Sequence, residues 1–118
     1  MSDQATIRAA IKQGALRRLG VLGAGQSAGA ADDALADGAL TRLVGHLAAE
    51  GSVRFHDQAI PEQAQHGLIV LLAATLADDF GLAEERAQRL LAQAEAERRL
   101  LRQQVSATAG EPTTFQDF

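Results

Sequence analysis

The residues that most resemble a chemical site lie in the glycine-rich stretch 23–28. Its sequence, GAGQSA, fits the pattern G-x-G-x-x-A, in which glycines let the backbone approach the phosphates of a dinucleotide. That chemistry needs a buried strand before the glycines and an acidic residue about 20 residues after them. Only Val21 and Leu22 stand directly before the glycines, and Gly20 and an amphipathic helix precede them. We therefore interpret the stretch as a loop between two helices, with Ser27 as the N-cap of the second.

Histidines and carboxylates are the other residues that could do chemistry. His46, His56 and His66 are spaced by ten residues, which matches no compact metal-binding spacing. The adjacent aspartates at 32–33 and 78–79 point in different directions on a helix, so neither pair shares a substrate. The absence of cysteine excludes a disulfide scaffold, a Cys-type zinc site and a thiol nucleophile. We therefore expect no enzyme, and no catalytic, cofactor or metal site.

The elements that position these residues follow from size and composition. The chain has 118 residues, which is one domain at about 100–200 residues per domain. Hydrophobic residues make up 47% and aromatic residues only 3%, so the core must consist of Leu, Ile, Val and Ala, a composition that favours helix over sheet. The predicted fold is all-α: an antiparallel four-helix bundle with a long C-terminal helix and an extended C-terminal tail.

Apolar residues recur at helical spacing in four stretches, at about 3–19, 28–50, 61–79 and 83–105. In the first, the predicted buried stripe consists of Ile7, Ile11, Ala15 and Leu19. In the second it consists of Leu35, Ala39, Leu43 and Leu47, and Leu40 and Val44 widen it. Gly38 and Gly45 inside the second helix predict a close approach of another backbone. The third helix is predicted to begin with Pro61 at its first position and, being apolar on nearly every side over 68–76, to be the central helix. Between helices two and three, Val53 and Phe55 alternate with polar residues, as in a short extended piece.

Charge is distributed unevenly along the chain. The formal net charge is −4, which argues against a protein that binds nucleic acid with its whole surface. Residues 1–26 and 81–105 are net positive, whereas residues 27–80 and 106–118 are net negative. An acidic middle between basic segments suits head-to-tail packing of copies.

No secretory signal or membrane span is expected. The N-terminal residues MSDQATIRAA lack an apolar region, and the longest apolar stretch, at 68–77, is far shorter than the about 20 residues that a span needs. We expect a soluble protein that is made inside the cell.

The predicted division of the chain is a helical domain at 1–105 and a docking tail at 106–118. The tail holds Phe115 and Phe118, half of the four phenylalanines, and such side chains are good anchors in a partner's pocket. The alternative is a frayed end whose phenylalanines fold back on their own bundle. Arg98, Arg99 and Arg102 are either cations at the negative end of helix four or a contact patch for an acidic partner.

Several of these motifs follow one another in the order that is found in a known protein family. LRRLGVLGAGQ ends the first helix, Ser27 and AADDAL begin the second, and AAEG ends it. Ile60, Pro61 and Glu62 then lead into LIVLLAATLA. In this order residues 4–102, and 15–51 most closely, resemble the head–tail adaptor family of short-tailed phages, also described as packaged-DNA stabilisation proteins or tail accessory factors. Family members carry a longer, β-rich insertion where this chain has only residues 52–59.

The resemblance implies a structural protein of the virion, located at the head–tail junction and made in the cytoplasm of a bacterial host. It would form a ring, of twelve copies in the family, that binds beneath the portal protein, helps to retain packaged DNA and receives nozzle or fibre proteins. Double-stranded DNA would pass through the ring without sequence-specific binding. Asp32, Asp33 and Asp37 are candidates for the channel wall, because like charges prevent capture of phosphates. Phe115, Phe118 and the three arginines would dock on the portal or on a neighbouring subunit.

Two other function classes stay open from the sequence. One is a helical protein–protein interaction module unrelated to phage, and the other is an enzyme or nucleotide-binding protein. Neighbouring portal, capsid and tail genes would distinguish the adaptor from the general interaction module. A calorimetric ligand screen would test the third class.

Overall fold

The computed structural model describes the backbone of residues 3–23 and 25–116, and the side chains of that range up to residue 105. This part of the chain contains four α-helices: α1 (Gln4–Arg18), α2 (Ala30–Ala49), α3 (Gln65–Leu76) and α4 (Glu84–Gln116). A short 3-10 helix at Glu62–Ala64 precedes α3. No strand occurs in the described residues, segment 51–60 included, and the predicted all-helical class is confirmed.

Helix α1 has the predicted boundaries and the predicted buried stripe. The Asp3 side chain caps its start by accepting a hydrogen bond from the backbone N–H of Thr6, at 2.8 Å. The helix ends before Gly20, whose φ of +78° is a conformation that glycine adopts without strain. The four predicted residues Ile7, Ile11, Ala15 and Leu19 are all buried.

Helix α2 begins later than predicted, and its buried stripe differs from the predicted one only at Leu35. Its N-cap is Gly29 rather than Ser27, because Gly29 has the extended backbone that this position needs and its carbonyl accepts the N–H of Asp33. Leu35 is 38% exposed, and Ala36 is buried in its place. The stripe is centred on Ala36, Leu40 and Val44, so Leu35 lies at its edge.

The glycines at close helix contacts are not the predicted ones. A Cβ atom added to Gly45 would have no neighbour within 4 Å, and one added to Gly38 would meet only the end of the Arg42 side chain. At Gly14 of α1, by contrast, an added Cβ would lie 2.7 Å from Cδ1 of Ile69 in α3. The prediction for Gly38 and Gly45 is therefore wrong, and Gly14 marks the tight contact instead.

Helix α3 is the central element, as its composition predicts. It contacts α1, α2 and α4, and Leu68, Leu72 and Leu76 are almost completely buried. Pro61 is not its first residue. Pro61 has an extended backbone and caps the 3-10 helix, because residues 62–64 form a tighter turn before the α-helical hydrogen bonds begin.

Helix α4 is longer than predicted, and residues 106–116 are helical rather than extended. The small residues and Pro112 of this segment predict a tail, because proline has no N–H to donate inside a helix. The backbone nevertheless stays helical through Gln116, as a continuation of the already formed α4. Its 33 residues correspond to a length of about 50 Å, close to the 55 Å longest dimension of the molecule. The side chain of Phe115 and the whole of Phe118 lie outside the described residues.

Candidate docking site between helix four and residues 51–61

The segment 51–61 is attached to α1 by a glutamine side chain. Gln4 donates from Nε2 to the carbonyl oxygen of Ile60 at 3.0 Å, and its Oε1 accepts from the N–H of the same residue at 2.7 Å. The amide thus makes the pair of hydrogen bonds that a neighbouring strand would make. Because Ile60 is itself buried, this contact holds the end of the segment against the core.

One turn further along α1, Arg8 ties three parts of the chain together. The residue is only 8% exposed, and its guanidinium donates to the carbonyl oxygen of Asp57 at 3.0 Å, to Oδ1 of Asp37 at 2.8 Å and to Oγ1 of Thr41 at 3.0 Å. A buried cation is tolerated when its donors are satisfied in this way. Arg8 therefore fixes α2 and the middle of the segment to α1.

Two of the predicted channel-facing acids pair with α1 of their own chain. Nζ of Lys12 lies 3.1 Å from Oδ1 of Asp33 and 3.2 Å from Oδ1 of Asp37. The hydrogen bond from Arg8, supported by Lys12, lowers the pKa of Asp37 below its ordinary value. Both carboxylates stay about half exposed, whereas Asp32 makes no ion pair within the described residues. Part of the acidic middle of the chain is thus neutralised by its own basic N-terminal helix.

The three predicted arginines of α4 have different environments. Arg98 forms an ion pair with Glu50 at the end of α2. Glu50 also accepts a hydrogen bond from Oγ of the buried Ser52 at 2.9 Å, and this bond, followed by the charge of Arg98, lowers the pKa of Glu50. Arg102 donates to the same Ser52 hydroxyl at 3.4 Å. Arg98 and Arg102 thus join α4 to residues 50–52, although Arg102 is exposed. Arg99 is also exposed and lies next to Arg98 in sequence.

An open groove lies between α4 and the segment. It has a volume of about 330 Å³, and its apolar lining includes Val53, Phe55, Leu101 and Val105. Arg54 is the one charged residue in its lining among the described residues, and its side chain is exposed. Sequence reasoning missed this groove, although the alternation of Val53 and Phe55 with polar residues was a usable signal.

The glycine-rich loop does not have the form of a phosphate site. The N–H of Gly23 donates to Oε1 of Gln26 at 2.8 Å, and the N–H of Gln26 donates to the carbonyl oxygen of Gly23 at 3.1 Å. The N–H groups of residues 23 and 26 are thus bonded within the loop, and the helix α1 precedes the loop where the dinucleotide-binding pattern needs a strand.

Two of the three histidines, His46 and His66, each lie next to one glutamate. Nε2 of His46 is 3.7 Å from Glu50, and Nε2 of His66 is 3.6 Å from Glu97. In the part of the chain that the structure describes, no group of three or more His, Asp or Glu residues is arranged to hold a metal ion.

Two further findings concern membrane-spanning helices and similarity to known proteins. None of the helices, over the residues that the structure describes, combines the length and the apolar character needed to cross a bilayer. Compared with protein-family models, curated proteins and solved structures, the chain matches none of them.

Proposed function

We propose that this chain is a structural subunit of a phage head–tail adaptor, without catalytic activity, that binds beneath the portal and carries tail components. The observation that supports the proposal is the unpartnered surface of α4. Its described part buries a narrow stripe that includes Leu90, Ala94 and Leu101, while Leu91 and Leu100 on the two flanks are 57% and 50% exposed.

An α-helix of this kind is suited to assembly. Three shorter helices and one face of α4 form the core, and α4 extends along nearly the full length of the molecule. Exposed leucines on such a helix gain about 25 cal/mol for each Å² of apolar area that a partner covers. The site therefore favours a protein that joins other proteins over one that binds a small molecule.

The finer architecture that we propose is an antiparallel four-helix bundle. The ion pairs between α1 and α2 support it, since Arg8 pairs with Asp37 and Lys12 with Asp33, so that residue numbers rise in one helix as they fall in the other. Copies of this bundle would form a closed ring, of twelve subunits as in the resembled family, around a channel for double-stranded DNA.

The partners follow from the same assignment. The portal protein and neighbouring copies would contact the C-terminal part of α4, and nozzle or fibre proteins would bind the opposite end of the ring. The half-exposed carboxylates of Asp33 and Asp37, with Asp32, keep enough negative charge on α2 for a wall along which DNA moves without sticking. Mature protein would be located in the virion.

Co-sedimentation with portal rings tests the proposal. We expect the wild-type chain to sediment with the portal of its phage, and the double variant Phe115→Ala/Phe118→Ala to lose that attachment, because these are the large apolar groups of residues 106–118. The matched control is Thr113→Ala/Thr114→Ala in the same segment, which should sediment like the wild type.

A circular dichroism melt of each variant separates docking from folding. The proposal is overturned if the wild-type chain forms no complex with the portal encoded beside it. A phenylalanine variant that binds at wild-type strength would show that the C-terminal segment is not the docking element. A chain that ignores the portal but associates with another protein would be the general interaction module.

A further inference from the structure

We propose that the groove between α4 and residues 53–61 receives the C-terminal segment, residues 106–118, of a second copy of this chain. The inference rests on the proposed function in one respect, because it takes the same segment as a docking element. It adds the surface that the segment binds and the identity of the partner.

The chemistry of the groove defines its occupant. Val53, Phe55, Leu101 and Val105 supply apolar lining. Val53 and Leu101 are buried and form its floor, whereas Phe55 and Val105 are partly exposed and can contact a side chain from outside. The charge at the groove is the positive charge of Arg54. An occupant that fits both properties brings a large apolar side chain on a segment of negative charge.

Residues 106–118 have this chemistry. The segment SATAGEPTTFQDF carries Phe115 and Phe118 as its large apolar residues, contains Glu111 and Asp117, and has no lysine or arginine. Elsewhere the chain mixes both signs of charge, for example in α4 before Val105. Charge and apolar content therefore match this segment to the groove.

The course of α4 makes the partner a second copy. The helix continues through Gln116, so residue 115 lies ten residues, about 15 Å along the helix axis, beyond Val105. Val105 is the last described residue of α4 that lines the groove. Because the helical backbone continues past Val105, residue 115 of the same chain lies beyond the groove, and we infer that a second copy supplies the occupant.

Such a contact is heterologous, because the surfaces that meet are different parts of the two copies. Each copy then offers one segment and one groove. Repetition of the contact gives a ring when the rotation closes and a filament when it does not.

Disulfide trapping tests the proposal on the full chain, which contains no cysteine of its own. One preparation carries Gln63→Cys at the exposed rim of the groove, and a second, of different mass through isotope labelling, carries Thr114→Cys beside Phe115. We expect the mixed, oxidised sample to give a crosslink between the two preparations. The matched control replaces Gln63→Cys by Gln88→Cys, an exposed glutamine of α4 outside the groove, and should give at least about five-fold less product.

Charge exchange gives a second readout. Arg54→Glu should weaken self-association, measured by analytical ultracentrifugation, by about two- to five-fold, the range expected of an exposed ion pair. Glu111→Arg should do the same, and the combination of both changes on one chain should restore it.

Three outcomes would overturn the inference: no crosslink, equal yields with Gln63→Cys and Gln88→Cys, or a disulfide within one chain when Gln63→Cys and Thr114→Cys are combined. A missing crosslink with intact, segment-dependent portal binding would refute the inference alone. A specific crosslink without any portal binding would refute the adaptor function and leave the inference standing.

Discussion

Arg8 illustrates how a single charged side chain organises this fold. It donates hydrogen bonds to groups of α2 and of the segment 51–61, including both the side chain and the carbonyl of Asp37. A guanidinium is suited to this role because its five N–H donors have a fixed, planar arrangement. Lysine could not replace it, since an ammonium concentrates its three donors at one point.

Replacement of Arg8 by methionine is expected to lower the free energy of unfolding by about 1–3 kcal/mol. The methionine keeps most of the packing but leaves several acceptors without their donor. Asp37 is half exposed and regains water, which holds the cost below that of a fully buried broken pair. Urea unfolding measures the change. The control is Arg17→Met at an exposed position of the same helix, which should change stability by no more than about 0.5 kcal/mol. Equal effects of the two changes would contradict the role given to Arg8.

Asp37 makes stability depend on pH in a defined direction. Because its pKa is lower in the folded chain, the folded state binds fewer protons than the unfolded state near that pKa. The stabilisation is complete above the unfolded pKa of about 4 and disappears as the pH falls through the folded pKa.

We therefore expect Asp37→Asn to be less stable than the wild type at pH 7 and to lose less stability on acidification below about pH 4. Chemical unfolding across this range gives both slopes. Asp32→Asn on the same helix serves as the control, since Asp32 has no ion pair among the described residues, and it should lose less stability at pH 7 than Asp37→Asn. A parallel pair of slopes for Asp37→Asn and the wild type would contradict the prediction.

Two glycines inside helices, Gly14 of α1 and Gly45 of α2, should respond in opposite ways to replacement by alanine. Gly14→Ala places a Cβ 2.7 Å from Cδ1 and 3.0 Å from Cγ1 of Ile69, so α1 and α3 must separate or Ile69 must move. Gly45→Ala adds its methyl group to open space.

We expect Gly45→Ala to raise the free energy of unfolding by about 0.5–1 kcal/mol through helix propensity. Gly14→Ala should lower it by about 0–2.5 kcal/mol, because overpacking costs about 1–3 kcal/mol and exceeds the gain of about 0.5–1 kcal/mol from helix propensity. In a chain that already carries Ile69→Ala, the same Gly14→Ala change should cost less than in the wild type, because the clash is absent. If the two single variants were equally stable, the Gly14 contact would have no energetic weight.

The helices differ in how far their positions can be read from the sequence. The stripe of α1 is predictable because a helical period of apolar residues indicates one buried face. The central place of α3 is predictable because a helix that is apolar on all sides must be buried on all sides. The exposure of Leu35 and the position of the N-cap of α2 cannot be predicted in this way. The edge of a buried stripe can shift by one residue, and Gly29 can serve as N-cap in place of Ser27 without a side chain. The helical state of residues 106–116 depends on propagation from α4, which local composition does not record.

The candidate site is predictable only in its parts. Arg98 and Arg102 stand out as charges near the end of a helix, but Glu50 and Ser52, which bind them, come from distant sequence. The groove likewise joins Phe55 to Leu101, and the burial of Arg8 depends on three elements. Periodicity places each residue on a face, and only tertiary packing decides which faces meet.

For the whole molecule, the small core and the long α4 predict that the C-terminal segment adds little to folding. Truncation after Val105 removes the turns of α4 that lie beyond Leu101, the last α4 residue in the buried core within the described side chains. We expect the free energy of unfolding to change by no more than about 0.5 kcal/mol, with a smaller helical signal in circular dichroism. The matched control is removal of the last two residues only. A loss above about 1 kcal/mol would show that the segment belongs to the core.

The hydrogen bond from the N–H of Ile60 to the side chain of Gln4 makes it possible to detect separation of α1 from the segment 51–61. The amide proton of Ile60 is held by a side chain that is 56 residues away in sequence, not by a neighbouring carbonyl. Its exchange with deuterated solvent therefore requires α1 to move away from the segment, even if every helix stays formed. In Gln4→Ala this proton should exchange much faster while the helical amides keep their protection, so the rate at one position would separate loss of docking from loss of helix.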